Sequence, residues 1–345
     1  MTHRDIVVVG TSAGGLEVLR KVMRGLPADF PASVLVVQHM APSGPGLLPR
    51  ILQDGCALPV SQAQDGESVV PGHVYVARPD HHLTLDEGRV RVTHGPRENH
   101  SRPAVDPLFR SAALAFGPRV IGVVLTGRLD DGSAGLWAVS ARGGTTVVQD
   151  PDDAAYPSMP RSALRYVDID HVATADELAP LLVRLTGEPF PHTGDLPVPE
   201  EMLVETRIAQ EDGALRQGVL SLGPLTPYTC PECRGVLVRI REPGIPRFRC
   251  HTGHAYSIDS LLAAVTEGIE ESLWSSLRAM EEGILLLEHL SEHLETAGEA
   301  GATAAMLREK AREMEQRSTT IRRTVIEHET LSVETIDAAS PPSGA

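Results

Sequence analysis

The sequence predicts an α/β domain on a mostly parallel sheet, followed by a small Cys/His module and a helical hairpin. Three observations predict it. Apolar, largely β-branched runs without a polar break, Ile6 to Val9 and Val120 to Leu125 among them, read as strands buried on both faces of a parallel sheet. After the first run the apolar spacing switches to that of a helix, at Leu16, Leu19 and Met23. Far downstream, three of the four cysteines crowd into one short window, and two long stretches then place apolar residues three or four apart.

Length and composition bound the rest. With 345 residues, 41% of them hydrophobic, the chain can bury a full core and hold more than one unit. It carries neither a signal peptide nor an apolar run long enough to cross a bilayer, which predicts a cytoplasmic protein without membrane insertion. The formal net charge of −15 is uneven: residues 1–190 hold 17 Lys and Arg against 21 Asp and Glu, leaving 14 against 25 for residues 191–345. Such a tail would repel phosphates, which argues against a nucleic-acid partner. No short-period repeat is visible, which argues against a solenoid.

The chain is organised around Ile6 to Leu16, IVVVGTSAGGL. Ser12 lies in a turn of small residues between the first strand and the first helix. Such a turn can lift a hydroxyl clear of a sheet, with the free N–H groups of the helix start close by. A phosphate-binding loop and a purely structural turn remain alternatives here. The dinucleotide fingerprint, however, wants Gly where Ser12 stands, and no clear acidic residue follows the second strand.

Ser33 to Val37 reads as a second buried strand, ending at Gln38-His39-Met40 before a Pro/Gly loop. Ligands of open parallel sheets bind off the carboxyl ends of strands, where Ser12 and His39 both fall. Val69 to Ala77, and His81 to Leu85 with Arg89 to Val92, read as short antiparallel strands, with His81, His82 and His94 as surface groups or groups behind the site. Asp106 to Phe116 reads as a helix. Val120 to Leu125 runs into Thr126-Gly127-Arg128-Leu129-Asp130-Asp131-Gly132, a third polar strand end. One of these aspartates can orient His39 through its Nδ1–H, or else cap the helix Ser133 to Ala141. Thr145 to Gln149 reads as a further strand.

Five segments, VVVGTSAGG, VLVVQHM, SRPAVDPLFRSAA, VVLTG with DDG, and MPRSA, occur in that order. Together they resemble the catalytic domain of the chemotaxis protein-glutamate methylesterases, the CheB family, over residues 4–185. The resemblance implies a doubly wound α/β fold and a serine esterase that hydrolyses glutamate γ-methyl esters on chemoreceptors, with no cofactor for catalysis. Motif by motif, Ser12 matches the nucleophile, His39 the base and Asp131 the orienting acid, with Asp130 as its neighbour. The oxyanion donors fall on the backbone of Arg128 and of Ala13. Better-known members have Ser-Thr at the nucleophile and Thr-Gly-Met-Gly-Asn-Asp-Gly at the acid, so Ala13, Arg128 and Leu129 depart from the pattern. Main-chain donors survive such changes, whereas the receptor surface recognised can differ. Chemotaxis members also carry a receiver domain ahead of the esterase. Here the first strand starts by Asp5, so control by a receiver in the same chain is not expected.

Residues 1–187 are read as the methylesterase domain and 188–224 as a linker containing a short amphipathic piece, Glu200 to Gln210. Residues 225–258 form a zinc-ribbon-like module. Cys230-x2-Cys233 and Cys250-x3-His254 are two knuckles that supply four tetrahedral zinc ligands, and His251 is too close to Cys250 to serve. A redox Cys-x-x-Cys or unpaired thiols are the alternatives, and Cys56 stands apart as an inert thiol. The predicted zinc is structural and separate from Ser12, His39 and Asp131. Ser257 can cap the following helix, and residues 259–335 form a helical hairpin. Its apolar positions run Val265, Ile269, Leu273, Leu277, Met280, Ile284, Leu287 and Leu294, then Leu307, Ala311, Met314, Ser318, Ile321 and Val325. The hairpin packs on itself, or serves a homodimer or a partner helix. Residues 336–345 are expected to be disordered.

Two functions are compatible with these residues. One is a carboxyl-methylesterase acting on protein glutamate, with glutamine deamidation by the same acyl-enzyme route. The other is a catalytically silent scaffold or sensor whose α/β domain binds a ligand.

Overall fold

In the computed structural model, residues 3–190, 196–210, 213–241, 244–298, 301–329 and 331 are described. The chain forms two compact units, Met1–Leu261 and Leu262–Ala345. The first begins with β1 (Ile6–Thr11), α1 (Gly15–Gly25), β2 (Ser33–Gln38), α2 (Leu48–Gln53), β3 (Val60–Gln62) and β4 (Val74–Val76). There follow β5 (His82–Asp86), β6 (Arg89–Thr93), α3 (Val105–Phe116), β7 (Val120–Val124), α4 (Ser133–Ala141) and β8 (Thr145–Gln149). Next come α5 (Ser158–Tyr166), β9 (His171–Ala173), α6 (Leu178–Gly187) and α7 (Glu200–Gln210). A second set of strands, β10 (Leu225–Thr229), β11 (Val236–Arg239), β12 (Arg247–Cys250) and β13 (Ala255–Ser257), leads into α8 (Ile258–Thr296).

Seven strands form one parallel sheet in the order β3-β4-β2-β1-β7-β8-β9. Alternate side chains of the apolar runs serve two cores. Ile6 and Val8 pack with Leu108 and Phe109 of α3 and Leu136 of α4, while Val7 and Val9 pack with Leu19 and Met23 of α1 and Leu182 of α6. Both faces are thus covered by helices, as the unbroken apolar runs require. Strand order reverses between β1 and β7, the switch point at whose carboxyl ends open parallel sheets bind their ligands.

The antiparallel reading of Val69 to Ala77 is corrected: only Val74–Val76 is a strand, and it pairs parallel with β2 and β3. Its wholly buried VYV looks the same in either sheet, so sequence alone could not choose. Strands β5 and β6 do form an antiparallel hairpin. Strands β3 and β9, three residues each, are too short to show a period and were not foreseen.

The segment read as a linker is not free. Helix α7 buries Met202, Val204, Glu205 and Ile208, and Val204 and Ile208 join Val219, Leu222, Val238 and Ile240 in a small core. The strands β10-β11-β12-β13 form an antiparallel sheet whose own cluster holds Cys230, Leu237, Phe248, Cys250 and Tyr256.

The second unit is built from the rest of α8 and from α9 (Gly301–Ile326). Ser291 Oγ donates to the Ala304 carbonyl at 3.0 Å, and the His328 ring meets the Thr266 carbonyl at 3.0 Å, so the two helices run antiparallel. On α9 the inward residues are Ala304, Ala311, Ser318 and Val325, one per seven. Val265 and Ile269 were expected on the seam but stand 46% and 45% exposed. The tail expected to be disordered lies outside the described residues.

Candidate active site and metal centre

The ends of three strands meet at this switch point. Ser12 follows β1 and His39 follows β2, two strands paired in parallel with Thr11 beside Gln38. Main-chain bonds tie the ends together: Ser12 N–H donates to the Thr126 carbonyl (3.1 Å) and His39 N–H to the Thr11 carbonyl (3.0 Å). The Thr11 hydroxyl also donates to the Thr126 carbonyl at 2.8 Å. Gly127 is needed here, because a Cβ on it would stand 2.8 Å from Ser12 Cβ and 2.0 Å from Met159 Sδ.

The structure brings Ser12, His39 and Asp131 together. Ser12 Oγ lies 3.1 Å from His39 Nδ1, and His39 Nε2 lies 2.7 Å from Asp131 Oδ2. The ring nitrogen facing the carboxylate is therefore Nε2, not the Nδ1 expected from the serine-protease pattern. The logic survives the exchange: an Nε2–H bound to Asp131 leaves Nδ1 with a lone pair toward the serine hydroxyl. Ser12 and His39 remain partly exposed, so substrate can reach them, while Asp131 is buried.

Asp131 is held as an anion by its surroundings. It sits at the start of α3, whose first N–H groups, of Val105 (2.7 Å) and Asp106 (3.2 Å), donate to its two oxygens. Asn99 Nδ2 adds a donor at 3.0 Å. Burial pushes the carboxyl upward, but His39, Val105 and Asn99 outweigh it and hold the pKa below the ordinary value.

Neither aspartate caps α4 as the alternative reading had it; the cap is Gly132, at φ 99°. Instead Asp106, from the start of α3, accepts the N–H groups of Gly132 (3.0 Å) and Gly135 (2.7 Å). Each helix start is thus satisfied by a carboxylate belonging to the other's neighbourhood. Burial and the nearby Asp131 charge push Asp106 well above the usual range. Asp130 turns away from His39 and accepts from the Ser257 hydroxyl at 2.6 Å. Burial raises its pKa to about 7, and its Oδ2 has no partner among the described residues.

Among the described residues, no internal acceptor takes the amide N–H of Ala13 or of Arg128, the two expected oxyanion donors. The Arg128 side chain is exposed and lies over the Tyr156 ring at 5.4 Å. Leu129, which replaces a glycine of the familiar pattern, takes φ 60°, so the left-handed backbone persists without the residue that adopts it freely.

The three histidines of the β5–β6 region lie outside this constellation. His82 is buried, not at the surface: it accepts from Ala104 N–H (3.3 Å) and its Nε2 meets the Pro96 carbonyl (2.9 Å). Burial holds its pKa down, as suits a neutral ring. His81 bonds the Pro79 carbonyl, and His94 pairs with Asp80.

The four expected metal ligands do converge, with one ligand atom each from Cys230, Cys233, Cys250 and His254 within 4.8 Å of one another. Cys233 Sγ lies 3.6 Å from Cys250 Sγ, and His254 Nδ1 lies 3.6 Å from both Cys230 Sγ and Cys250 Sγ. These are the edges of a tetrahedron around an ion with Zn–S near 2.3 Å and Zn–N near 2.0 Å. Glu232 stands 3.3 Å from His254 Nε2, the carboxylate that fixes the tautomer of a metal-bound imidazole. Such a cluster can hold a metal.

Sequence reasoning missed what joins this module to the α/β domain. Glu98, Arg110, Glu205, Arg247 and Arg249 are all buried and ion-paired. Arg249 bridges Glu98 (2.7 Å) and Glu205 (2.8 Å), linking β12 to α7 and to the loop before α3. The alternation RFRC at Arg247–Cys250 was the available signal, and it reads equally well as an exposed strand face. None of the four ligands is a member of the Ser12–His39–Asp131 group, as expected, yet the last strand of the module packs beside Asp130 and Asn99.

Comparisons with known proteins each cover about half of the chain. The family model described as CheB methylesterase matches residues 7–182. A Leptospira interrogans protein is 36% identical over 182 residues, covering 52% of this chain and 94% of that one. An Anaeromyxobacter dehalogenans protein named protein-glutamate methylesterase/protein-glutamine glutaminase 2 is 40% identical over 182 residues, 53% of each chain. The crystal structure of the Thermotoga maritima CheB methylesterase catalytic domain superposes with TM-score 0.51 at 35% identity, covering 53% of this chain and all of that one. With a parallel seven-stranded sheet and a family model that matches just over half of its length, this chain belongs to the CheB methylesterase family.

Proposed function

We propose that this protein hydrolyses the γ-methyl esters of glutamate side chains on chemoreceptor-type proteins, with Ser12, His39 and Asp131 as its triad. The observation that carries it is the relay Ser12 Oγ, His39 Nδ1, His39 Nε2, Asp131 Oδ2, at 3.1 and 2.7 Å. Family membership supports the reaction class.

The steps follow from the geometry. His39 Nδ1 takes the Ser12 proton as Oγ attacks the ester carbonyl, and Asp131 stabilises the imidazolium through Nε2–H. The tetrahedral oxyanion is met by the amide N–H groups of Ala13 and Arg128. As the C–O bond breaks, the proton passes from Nδ1 to the departing methoxide, releasing methanol and leaving an acyl-Ser12. Water, deprotonated by His39, then frees the glutamate carboxylate. A glutamine amide would follow the same course with ammonia leaving, so deamidation belongs to the proposal.

The cytoplasm is the proposed compartment, and no helix among the described residues is long and apolar enough to cross a membrane. The Cys230, Cys233, Cys250 and His254 cluster is proposed to hold a structural zinc, because the protein supplies all four ligands and leaves no position for water. The α8–α9 hairpin is proposed to serve dimerisation or partner docking, with Leu285 and Leu286 exposed by 63% and 70%. Ser12→Ala tests the mechanism: methanol release from a methylated receptor fragment should fall by about three to six orders of magnitude with the fold intact. Retained turnover would overturn it.

A further inference from the structure

We propose that the Cys/His module is a positioning clamp for the catalytic carboxylate, acting through Asn99. The inference rests on reading Ser12, His39 and Asp131 as the triad.

Strand β13 of the module pairs with the loop before α3. Ala255 N–H donates to the Arg97 carbonyl (3.1 Å), and Asn99 N–H donates to the Ala255 carbonyl (2.9 Å). This holds Asn99 in a left-handed backbone, φ 49°, which a non-glycine residue keeps only when its surroundings enforce it. The adjacent Glu98 is locked to the module by Arg249.

The Asn99 side chain then spans the boundary. Its Oδ1 accepts from the Ser257 N–H (3.0 Å) and the Ser260 hydroxyl (2.9 Å), both supplied by the module and the helix it leads into. Its Nδ2 donates to Asp131 Oδ1 (3.0 Å) and Asp106 Oδ2 (3.1 Å). An amide offers two donors and two lone pairs, and here all four are used, two on each side. Asn99 is only 7% exposed, so water cannot stand in for a lost partner. The donors on the module side thus dictate which way the amide faces, and an amide turned the other way would set its oxygen against two carboxyl groups.

The consequence falls on the reacting atoms. Asp131 Oδ2 is the oxygen that holds His39, and Oδ1 is the one that Asn99 fixes. Without Asn99, Oδ1 keeps only the 3.2 Å bond from Asp106 N–H, so the carboxylate is pinned mainly at Oδ2, by Val105 N–H, and its plane is held less firmly against the imidazole. Asn99 is a positioning residue: it does not reach Ser12, yet it sets the plane in which Asp131 meets His39.

The test uses the full chain and two readouts: kcat and KM for a small ester per folded protein, and the low-field proton resonance of His39 Nε2–H. For Asn99→Leu we expect kcat to fall by about 10- to 100-fold with KM within about twofold, the size of effect that supporting residues have at other sites. The resonance should shift or broaden. Ser260→Ala removes one hydroxyl from the module side and should lower kcat by roughly two- to fivefold, with a smaller shift of the resonance. Should Asn99→Leu fail to fold, Ser260→Ala decides alone. Wild-type kcat and an unmoved resonance in the folded variants would overturn the clamp and leave the seam merely adhesive. A wild-type chain that turns over no ester would instead overturn the triad reading, and the resonance would still decide the clamp.

Discussion

Asp130 and Asp131 are neighbours in sequence with opposite electrostatics, and the difference lies in their donors. Asp131 has four, including His39 and two helix N–H groups, whereas Asp130 has the Ser257 hydroxyl and a bare second oxygen. Asp131→Asn should therefore cost on the order of 10^4 in rate by favouring the wrong His39 tautomer, while Asp130→Asn costs less than about tenfold. Steady-state kinetics of the two variants decide this, and the reverse ranking would shift the acid by one residue. Asp130 also predicts a pH dependence of stability. Its folded pKa of about 7 lies above the unfolded value, so the unfolded chain releases this proton first as pH rises. The stabilising contribution is then full below the unfolded value of roughly 3.9 and is lost as pH climbs toward and through 7. Asp130→Asn, with no proton to lose, should gain a few degrees of Tm over wild type between pH 5 and pH 8, at about 2–4 °C per kcal/mol. Thermal melts across that range check it. The proposed triad residues could be picked out because each lies in the polar stretch beyond an apolar run, with the choice of Asp131 over Asp130 coming from the family resemblance. Asn99 could not, since its acceptor role is defined by Ser257, 158 residues away in sequence.

At the scale of elements, strand ends and helix starts were legible where composition changes abruptly, as at Gly10 or after Leu125. The packing of β12 was not. Arg247 and Arg249 alternate with Phe248 and Cys250, a pattern that spells a half-exposed strand, yet all four side chains are buried. Only knowledge of α7 and its Glu205 makes sense of them. Removing one member leaves buried charge without a partner, so Arg249→Leu should destabilise the first unit by about 3–5 kcal/mol. Denaturant titration followed by tryptophan fluorescence and by activity measures this. A loss below about 1 kcal/mol would mean the network relaxes or takes up water. Leu129 is the opposite case, a local conflict with the left-handed backbone beside the proposed oxyanion donor, as strain at functional sites often is.

Over the whole molecule, Cys spacing and apolar period marked the Cys/His cluster and the long helices, because each writes its own local pattern. The interdependence of the modules was not so marked. The first unit extends to Leu261, so the metal cluster and the α/β domain share one packed body. We therefore expect one zinc per purified chain, and its removal should lower small-ester turnover as well as loosen residues 225–258. Elemental analysis with an activity assay on Cys233→Ser tests both; a metal-free wild type would dispose of the centre, and unchanged turnover after metal loss would show that the sheet holds without it. The pairing of Asn99 with Ser257 also has a bearing on synthesis. Ribosomes deliver a chain from its amino end, so Ser12, His39 and Asp131 all emerge well before the strand that anchors their support. If the clamp holds, a nascent chain would carry all three proposed triad side chains before the contacts that steady Asp131, and full activity would wait for the final residues of the first unit.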